Sequence, residues 1–389
     1  MLVNNNFVLT LGVTLCLAGP VTAQDGVTGD SIVFGGTNAS TGPVAAVCGA
    51  AASGLQSYIG KINESGGIAG RTIEYSTLDD GYSPQRAIGN VRRLTQQDKV
   101  FAVLGGCGTA TAAAALSVLE RTDVPYLFPY AGLERLSQPP KEGVFTLLPT
   151  YPTQIATILP HAIKKSAPRT AAIFTFNIEG HEAVNNTAHS ALEAAGVEVV
   201  ATELMDVTSP DRSIFALKAL DLKPDLIVLN DSAPGAARFI LDLKRQDWLP
   251  KAVTGVSTLS DESFLKAVDG AVDGILVAPG IVMPPSTAEA ADCVEALANH
   301  DSISPSHFTM FGCLVGKVLE GALTMAGEEL THESLITALN EMKGFDTGIS
   351  GPVTFSQDKR MGLVSLFVIT SEDGVFQVGE ILPIMAAVK

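Results

Sequence analysis

Cys107 is the residue whose neighbours come closest to a chemical motif. It sits in Gly105-Gly106-Cys107-Gly108-Thr109, between an apolar run, Val100–Leu104, and an Ala-rich segment, Ala110–Leu119. Strand, glycine turn and helix start would place its thiol at a helix N-terminus, where the dipole lowers a thiol pKa. A nucleophile also needs a base, and no sequence feature supplies one. In a secreted chain a disulfide or a small pocket-lining role fits Cys107 better. The histidines, His161, His181, His189, His300, His307 and His332, are scattered without ligand spacing and read as solvated or capping residues. G-x-S-x-G, H-E-x-x-H, CxxC and a P-loop are all absent. Gly312–Lys317 fails as a P-loop because its glycine spacing is short and Val318 replaces the required Ser/Thr. Gly106-Cys107-Gly108-Thr109-Ala110-Thr111 starts a dinucleotide fingerprint but lacks the third glycine. Neither a cofactor nor a metal is expected, and the chain reads as one that binds rather than reacts.

The same stretch suits ligand binding. A buried strand that opens through glycines into a helix presents backbone N–H groups at the carboxyl end of an α/β sheet. The next predicted strand, Pro125–Phe128, ends in Pro129-Tyr130-Ala131-Gly132, so two successive strands end in residues that would line one cleft.

The remaining elements give that cleft a frame. Strands at Ser31–Gly35, Thr72–Leu78, Val100–Leu104 and Pro125–Phe128 alternate with helices at Val44–Asn63, Pro84–Gln97 and Ala110–Leu119. This alternation predicts a parallel, doubly wound α/β sheet. After Pro149-Thr150-Tyr151-Pro152 the rhythm restarts, with strands at Thr170–Phe174, Val197–Leu204, Leu226–Leu229, Ala252–Thr254 and Gly274–Val277. Three helices follow, and then Gly351–Phe355, Gly362–Thr370 and Val375–Gln377 read as an antiparallel meander turning at Glu372-Asp373-Gly374. At 389 residues two domains are expected. The boundaries read as 24–149 plus 282–353 for an N-terminal lobe and 150–281 plus 354–389 for a C-terminal lobe.

With 25 basic against 41 acidic residues the net charge is −16, which argues against nucleic acid or an anionic membrane as partner. Residues 1–23 carry an apolar core, Phe7–Ala18, and an A-x-A-like Val21-Thr22-Ala23, as in a cleavable signal peptide; a lipoprotein acylated at Cys16 is the alternative, with bulky Leu15 against it. No other segment reads as transmembrane.

Several blocks together resemble the periplasmic solute-binding proteins of ABC transporters, of the leucine/isoleucine/valine-binding (branched-chain amino acid) type. They are Thr41-Gly42-Pro43, the run Ile62-Asn63-Glu64-Ser65-Gly66-Gly67-Ile68-Ala69-Gly70-Arg71, Asp79-Asp80 before Pro84, Val103-Leu104-Gly105, Val124-Pro125, Ala195-Gly196-Val197, Asp273-Gly274-Ile275 and Gly351-Pro352-Val353-Thr354-Phe355. The resemblance implies a type I periplasmic-binding fold: two doubly wound lobes, three hinge crossings and a ligand trapped by closure. It implies a periplasmic, non-enzymatic, monomeric protein that hands a small molecule to a membrane permease. A ligand sensor of the same fold, acting on a receptor, is the alternative.

Carried over by motif, the ligand positions are Cys107, Gly108 and Thr109 after the third strand and Tyr130, Ala131 and Gly132 after the fourth. Tyr151 stands at the first hinge, with Glu179, Asp231, Ser232 and Ser257 in the second lobe. The family's amino-acid binders place hydroxyls where this chain has Gly108 and Gly132, an acid where it has Ser257, and aromatics where it has Glu179 and Ser232. These departures argue against a standard branched-chain amino acid. Glu179 and Asp231 are expected to accept a cation or amide, and Tyr130 and Tyr151 to offer aromatic faces. Amino acids, amides and aromatic or short-chain carboxylates all fit that set.

The cysteines follow from the predicted sheet. In strand order 2-1-3-4-5 the turns holding Cys48 and Cys107 are neighbours, with strands ~4.8 Å apart, close enough for a bridge. Cys293 and Cys313, on successive helices, are the expected second pair.

Overall fold

A computed structural model describes residues 24–209, 211–299 and 304–387. The expected signal peptide, residues 1–23 with Cys16, lies outside the described residues, as does His300.

The chain opens with β1 (Ser31–Asn38), α1 (Ala45–Glu64), β2 (Thr72–Asp79), α2 (Pro84–Gln96), β3 (Ala102–Leu104), α3 (Thr109–Leu119), β4 (Tyr126–Leu127) and β5 (Val144–Phe145). These strands form one parallel sheet in the order β2-β1-β3-β4-β5, as the alternation of strand and helix predicts. β3 is short and fully buried, as its unbroken apolar run requires. Its path continues past the glycines through bridges of Cys107 to Asn38 and to Tyr130.

The second sheet is built after α4 (Tyr151–Ser166) from β6 (Thr170–Phe176), α5 (His181–Ala194), β7 (Glu198–Met205), α6 (Ser213–Leu222), β8 (Leu226–Asn230), α7 (Ala233–Lys244), β9 (Ala252–Gly255), α8 (Glu262–Val268) and β10 (Leu276–Gly280). The chain then supplies α9 (Ala291–Ala298), α10 (His307–Ala326) and α11 (His332–Glu341), and ends in β11 (Ser365–Glu372) and β12 (Val375–Pro383). The full order is β12-β11-β10-β9-β8-β6-β7, parallel from β10 to β7, with the β10–β11 and β11–β12 pairs antiparallel. The fold is therefore two α/β lobes of the type I periplasmic-binding architecture.

α10 corrects the reading that no later segment could span a membrane. Among the described residues it is long and apolar enough by composition, but 72% of its apolar window is buried inside the protein. It packs on α1 so closely that a Cβ on Gly54 would lie 2.0 Å from the Thr309 carbonyl oxygen, and one on Gly312 2.2 Å from that of Ala51. α10 thus belongs to the first lobe's core.

The C-terminal meander is also shorter than expected. Val353 makes only isolated bridges, to Phe345 and Leu363, and Phe355 packs its ring on Phe128 and Phe145 beneath the first sheet. Thr146 N–H donates to the Arg360 carbonyl and Gly362 N–H to the Thr146 carbonyl. This stretch therefore lies with the first lobe, and the last crossing comes after Leu363, beyond the 353/354 boundary read from the sequence.

Both expected disulfides are formed. Cys48–Cys107 joins the first turn of α1 to the turn after β3 with Cα atoms 5.2 Å apart, and Cys293–Cys313 joins α9 to α10 with Cα atoms 5.9 Å apart.

Candidate ligand cleft

The carboxyl ends of the two sheets face one another across a cleft. The first lobe contributes Val44, Val47 and Cys48 from the start of α1, Tyr82, and Cys107, Gly108, Thr109 and Tyr130. From the second come Phe176, Ile178, Val207, Asn230, Asp231, Ser232 and Thr258, and Tyr151 closes the hinge side. Seven of the residues named from the sequence thus meet there: Cys107, Gly108, Thr109, Tyr130, Tyr151, Asp231 and Ser232.

Two glycines explain the floor. Gly108 has φ +112°, a region that L side chains rarely adopt, and a Cβ there would lie 2.8 Å from the Tyr82 ring. A Cβ on Gly132 would lie 2.6 Å from the Tyr151 ring. The two missing side chains make room for two tyrosine rings. Burial, and then neighbouring Tyr151, push the Tyr82 phenol up to about 12, and its oxygen faces the Ala110 N–H in the first turn of α3. Burial also raises the Tyr151 phenol, against a hydrogen bond with Thr109. Tyr82 itself has φ +63° and is held there by its N–H donating to Asp80 Oδ1 at 2.9 Å.

Tyr130 is buried and packs edge-on against Phe308 and Phe311 at 5.5 and 4.8 Å. Ser257 lies next to its hydroxyl from the second lobe, yet neither oxygen finds a well-formed partner among the described residues. Ser257 itself is fully buried, its N–H donating to Gln154 Oε1 at 2.8 Å, and stands behind the cleft wall. Ala131 is buried in the first-lobe core.

Two expectations are corrected. Asp231 does not stand ready for a ligand cation: Arg212 grips it with Nε–Oδ2 at 2.7 Å and Nη2–Oδ1 at 3.1 Å, and Ser232 N–H adds a third bond at 2.6 Å. Burial raises this carboxyl, while Arg212 and Ser232 pull it down. Glu179 and Gly132 line a second hollow that shares Tyr151 with the cleft, and Glu179 is partly exposed, pairing with Arg135 of the first lobe at 3.4 Å. Glu179 therefore joins the lobes instead of lining the ligand chamber.

A buried contact also joins the lobes. His307 N–H, at the start of α10, donates to Glu262 Oε2 at 2.7 Å, and Asp261 lies against the same helix end. Burial, then neighbouring Asp261, raises Glu262 to about 8, and burial lowers His307 to about 3.

Sequence reading missed Val44, Val47, Tyr82, Phe176, Ile178, Val207, Asn230 and Thr258. Tyr82 was readable only as turn chemistry. Phe176, Ile178 and Val207 follow strand ends, a signal that was available but applied only to the first lobe.

A chamber walled by the facing ends of two doubly wound lobes fits a protein that binds a small molecule. The chain belongs to the periplasmic binding protein family: a family model described as Periplasmic binding protein matches residues 31–374. This is a family of solute-binding proteins, not of enzymes. A Leu/Ile/Val-binding protein, BraC3, of Rhizobium johnstonii is 24% identical over 325 residues, covering 82% of this chain and 85% of that one. The Leu/Ile/Val-binding protein homolog 7 of Brucella suis is 23% identical over 358 residues, covering 87% and 83%. Two solved structures share the fold at TM-scores of 0.83 and 0.82. One is a fatty acid ABC transporter substrate-binding protein from Thermomonospora curvata, 20% identical and covering 93% of this chain and 94% of its own. The other is a branched chain amino acid ABC transporter protein from Thermus thermophilus with bound valine, 16% identical and covering 92% and 97%.

Proposed function

We propose that this protein is an extracytoplasmic solute-binding protein that traps a small organic molecule between its lobes and delivers it to an ABC-type membrane permease. The observation that carries this reading is the cleft itself, walled from both lobes and floored by Tyr82, Tyr130 and Tyr151. Its aliphatic and aromatic lining favours a ligand with an apolar body, whose burial on closure supplies most of the affinity. The relatives whose names record binding or transport support delivery to a permease. In this reading Cys107, Gly108, Thr109, Tyr130, Tyr151, Asp231 and Ser232 form the wall, with Gly132 and Ser257 setting the tyrosines from behind.

Closure is then a population shift toward the state in which both lobes touch the ligand. A thermal-shift screen across amino acids, amides, carboxylates and fatty acids tests the reading. A ligand at 100-fold its dissociation constant adds about 2.7 kcal/mol of stability. A chain that no class stabilises would not be a solute trap.

A further inference from the structure

Each charged feature of the cleft is already answered by this chain. The one carboxylate lining it, Asp231, is held by the buried Arg212 fork and by Ser232 N–H. The lining includes no lysine or arginine. Arg212, behind it, also donates to the carbonyls of Asp206, Ser209 and Asp211. Two helix starts that would otherwise attract an anion are partly covered. The Ala110 N–H of α3 faces the Tyr82 hydroxyl. At α7 the Gly235 N–H donates to Ser232 Oγ at 3.2 Å, and Pro234 has no N–H to offer.

Neutral polar groups are different. Asn230 and Tyr130 both line the cleft at 3% and 5% exposure; Asn230 Nδ2 finds no hydrogen-bond partner among the described residues, and Tyr130 Oη has beside it only Ser257, in no well-formed bond. Buried polar atoms of this kind cost stability unless a partner arrives. Both can donate to a carbonyl oxygen, and Tyr130 Oη can also accept. Around them stand Val44, Val47, Phe176, Ile178 and Val207.

We infer that the cleft selects an uncharged molecule, an aliphatic or aromatic body bearing a carbonyl or amide group, and rejects the matching carboxylate and amino-acid zwitterion. Asn230 Nδ2–H and the Tyr130 hydroxyl bind the carbonyl end, and the aliphatic and aromatic walls take the body. A carboxylate enclosed here would meet two neutral donors and no uncompensated cation, and an ammonium would meet a carboxylate already neutralised by Arg212. A buried charge left without a partner is rejected far more strongly than a misplaced methylene. The inference deepens the trap reading and rests on it.

Two matched series test it by thermal shift followed by calorimetry: 4-methylpentanamide, 4-methylpentanoate and leucine, and 3-phenylpropanamide, 3-phenylpropanoate and phenylalanine. The expected result is that the amide of at least one series binds tenfold or more tightly than its acid and its amino acid. Asn230→Ala should weaken that amide about tenfold. Tyr82→Phe keeps the ring over Gly108 but frees the Ala110 N–H, and should narrow the discrimination against the acid. An acid or amino acid binding more tightly than its amide would overturn the inference and leave the trap standing. The absence of binding by all six compounds would overturn the inference alone, and the wider thermal-shift screen then decides the trap reading.

Discussion

Arg212 and Asp231 form a bidentate ion pair in which both side chains are almost wholly buried, at 2% and 0% exposure. Asp231 lines the ligand cleft with Arg212 behind it, and the Arg212 guanidinium stacks over the Phe176 ring at 5.3 Å from its centre. Thr258 Oγ1 donates to the Asp231 backbone carbonyl at 2.6 Å. The pair thus fixes three cleft residues, Asp231, Phe176 and Thr258, and contributes no net charge to the chamber they line.

Breaking this pair leaves a buried guanidinium without its partner. Asp231→Asn should therefore destabilise the protein by about 3–5 kcal/mol. The double variant Arg212→Met with Asp231→Leu should be less costly than Asp231→Asn, because no charge is stranded. Urea unfolding of the three proteins, without ligand, measures both differences.

Gly132 is the contact on which Tyr151 rests. Gly132→Ser puts a side chain 2.6 Å from the ring and forces it to move. Overpacking of this kind costs about 1–3 kcal/mol. The larger expected effect is on binding, a loss of tenfold or more for whatever ligand the wild-type protein takes, read by calorimetry. Unchanged affinity would remove Tyr151 from the chamber wall.

The disulfides should matter unequally. Cys48–Cys107 closes a sequence separation of 59 and Cys293–Cys313 one of 20. Chain entropy alone then assigns about 4 kcal/mol to the first and about 3 kcal/mol to the second. Replacing each pair by alanine should lower the unfolding midpoint in that order. Loss of the first should also weaken binding, because it frees the start of α1, which carries Val44 and Val47.

The contact at the start of α10 gives stability a defined pH dependence. Glu262 is raised from 4.5 to about 8, so its contribution is present below pH 4.5 and is lost as pH rises through about 8. Asp261, also raised by burial, acts in the same direction. His307 is lowered from 6.5 to about 3, so its contribution is present above pH 6.5 and is lost as pH falls toward 3. Between pH 4.5 and 6.5 the two slopes oppose one another, so melting temperature should change least there. Glu262→Gln should flatten the alkaline fall, and His307→Asn the acidic one. Parallel pH profiles for wild type and both variants would contradict the assignment.

The first lobe was readable because its signals are local. Short buried strands, glycine turns and long helices alternate from Ser31 to Phe145, and that order places Cys48 beside Cys107. Glu179 and Asp231 were misread for the opposite reason. Their roles depend on Arg135 and Arg212, which lie 44 and 19 positions away, and no local pattern joins them. Tyr82 was hidden similarly: its ring reaches the cleft only because Gly108, on another turn, has no side chain. Gly351–Phe355 reads as strand by alternation, but aromatic packing of Phe355 on Phe128 and Phe145 holds it against the first lobe.

The central claim is a trap that closes, and small-angle scattering tests it most directly. In the present structure the lobes touch through Arg135–Glu179 and through His307–Glu262. Without ligand the protein should scatter as a longer particle than this structure, and a ligand shown by calorimetry to bind should bring the profile onto it. A profile that such a ligand leaves unchanged would contradict the account.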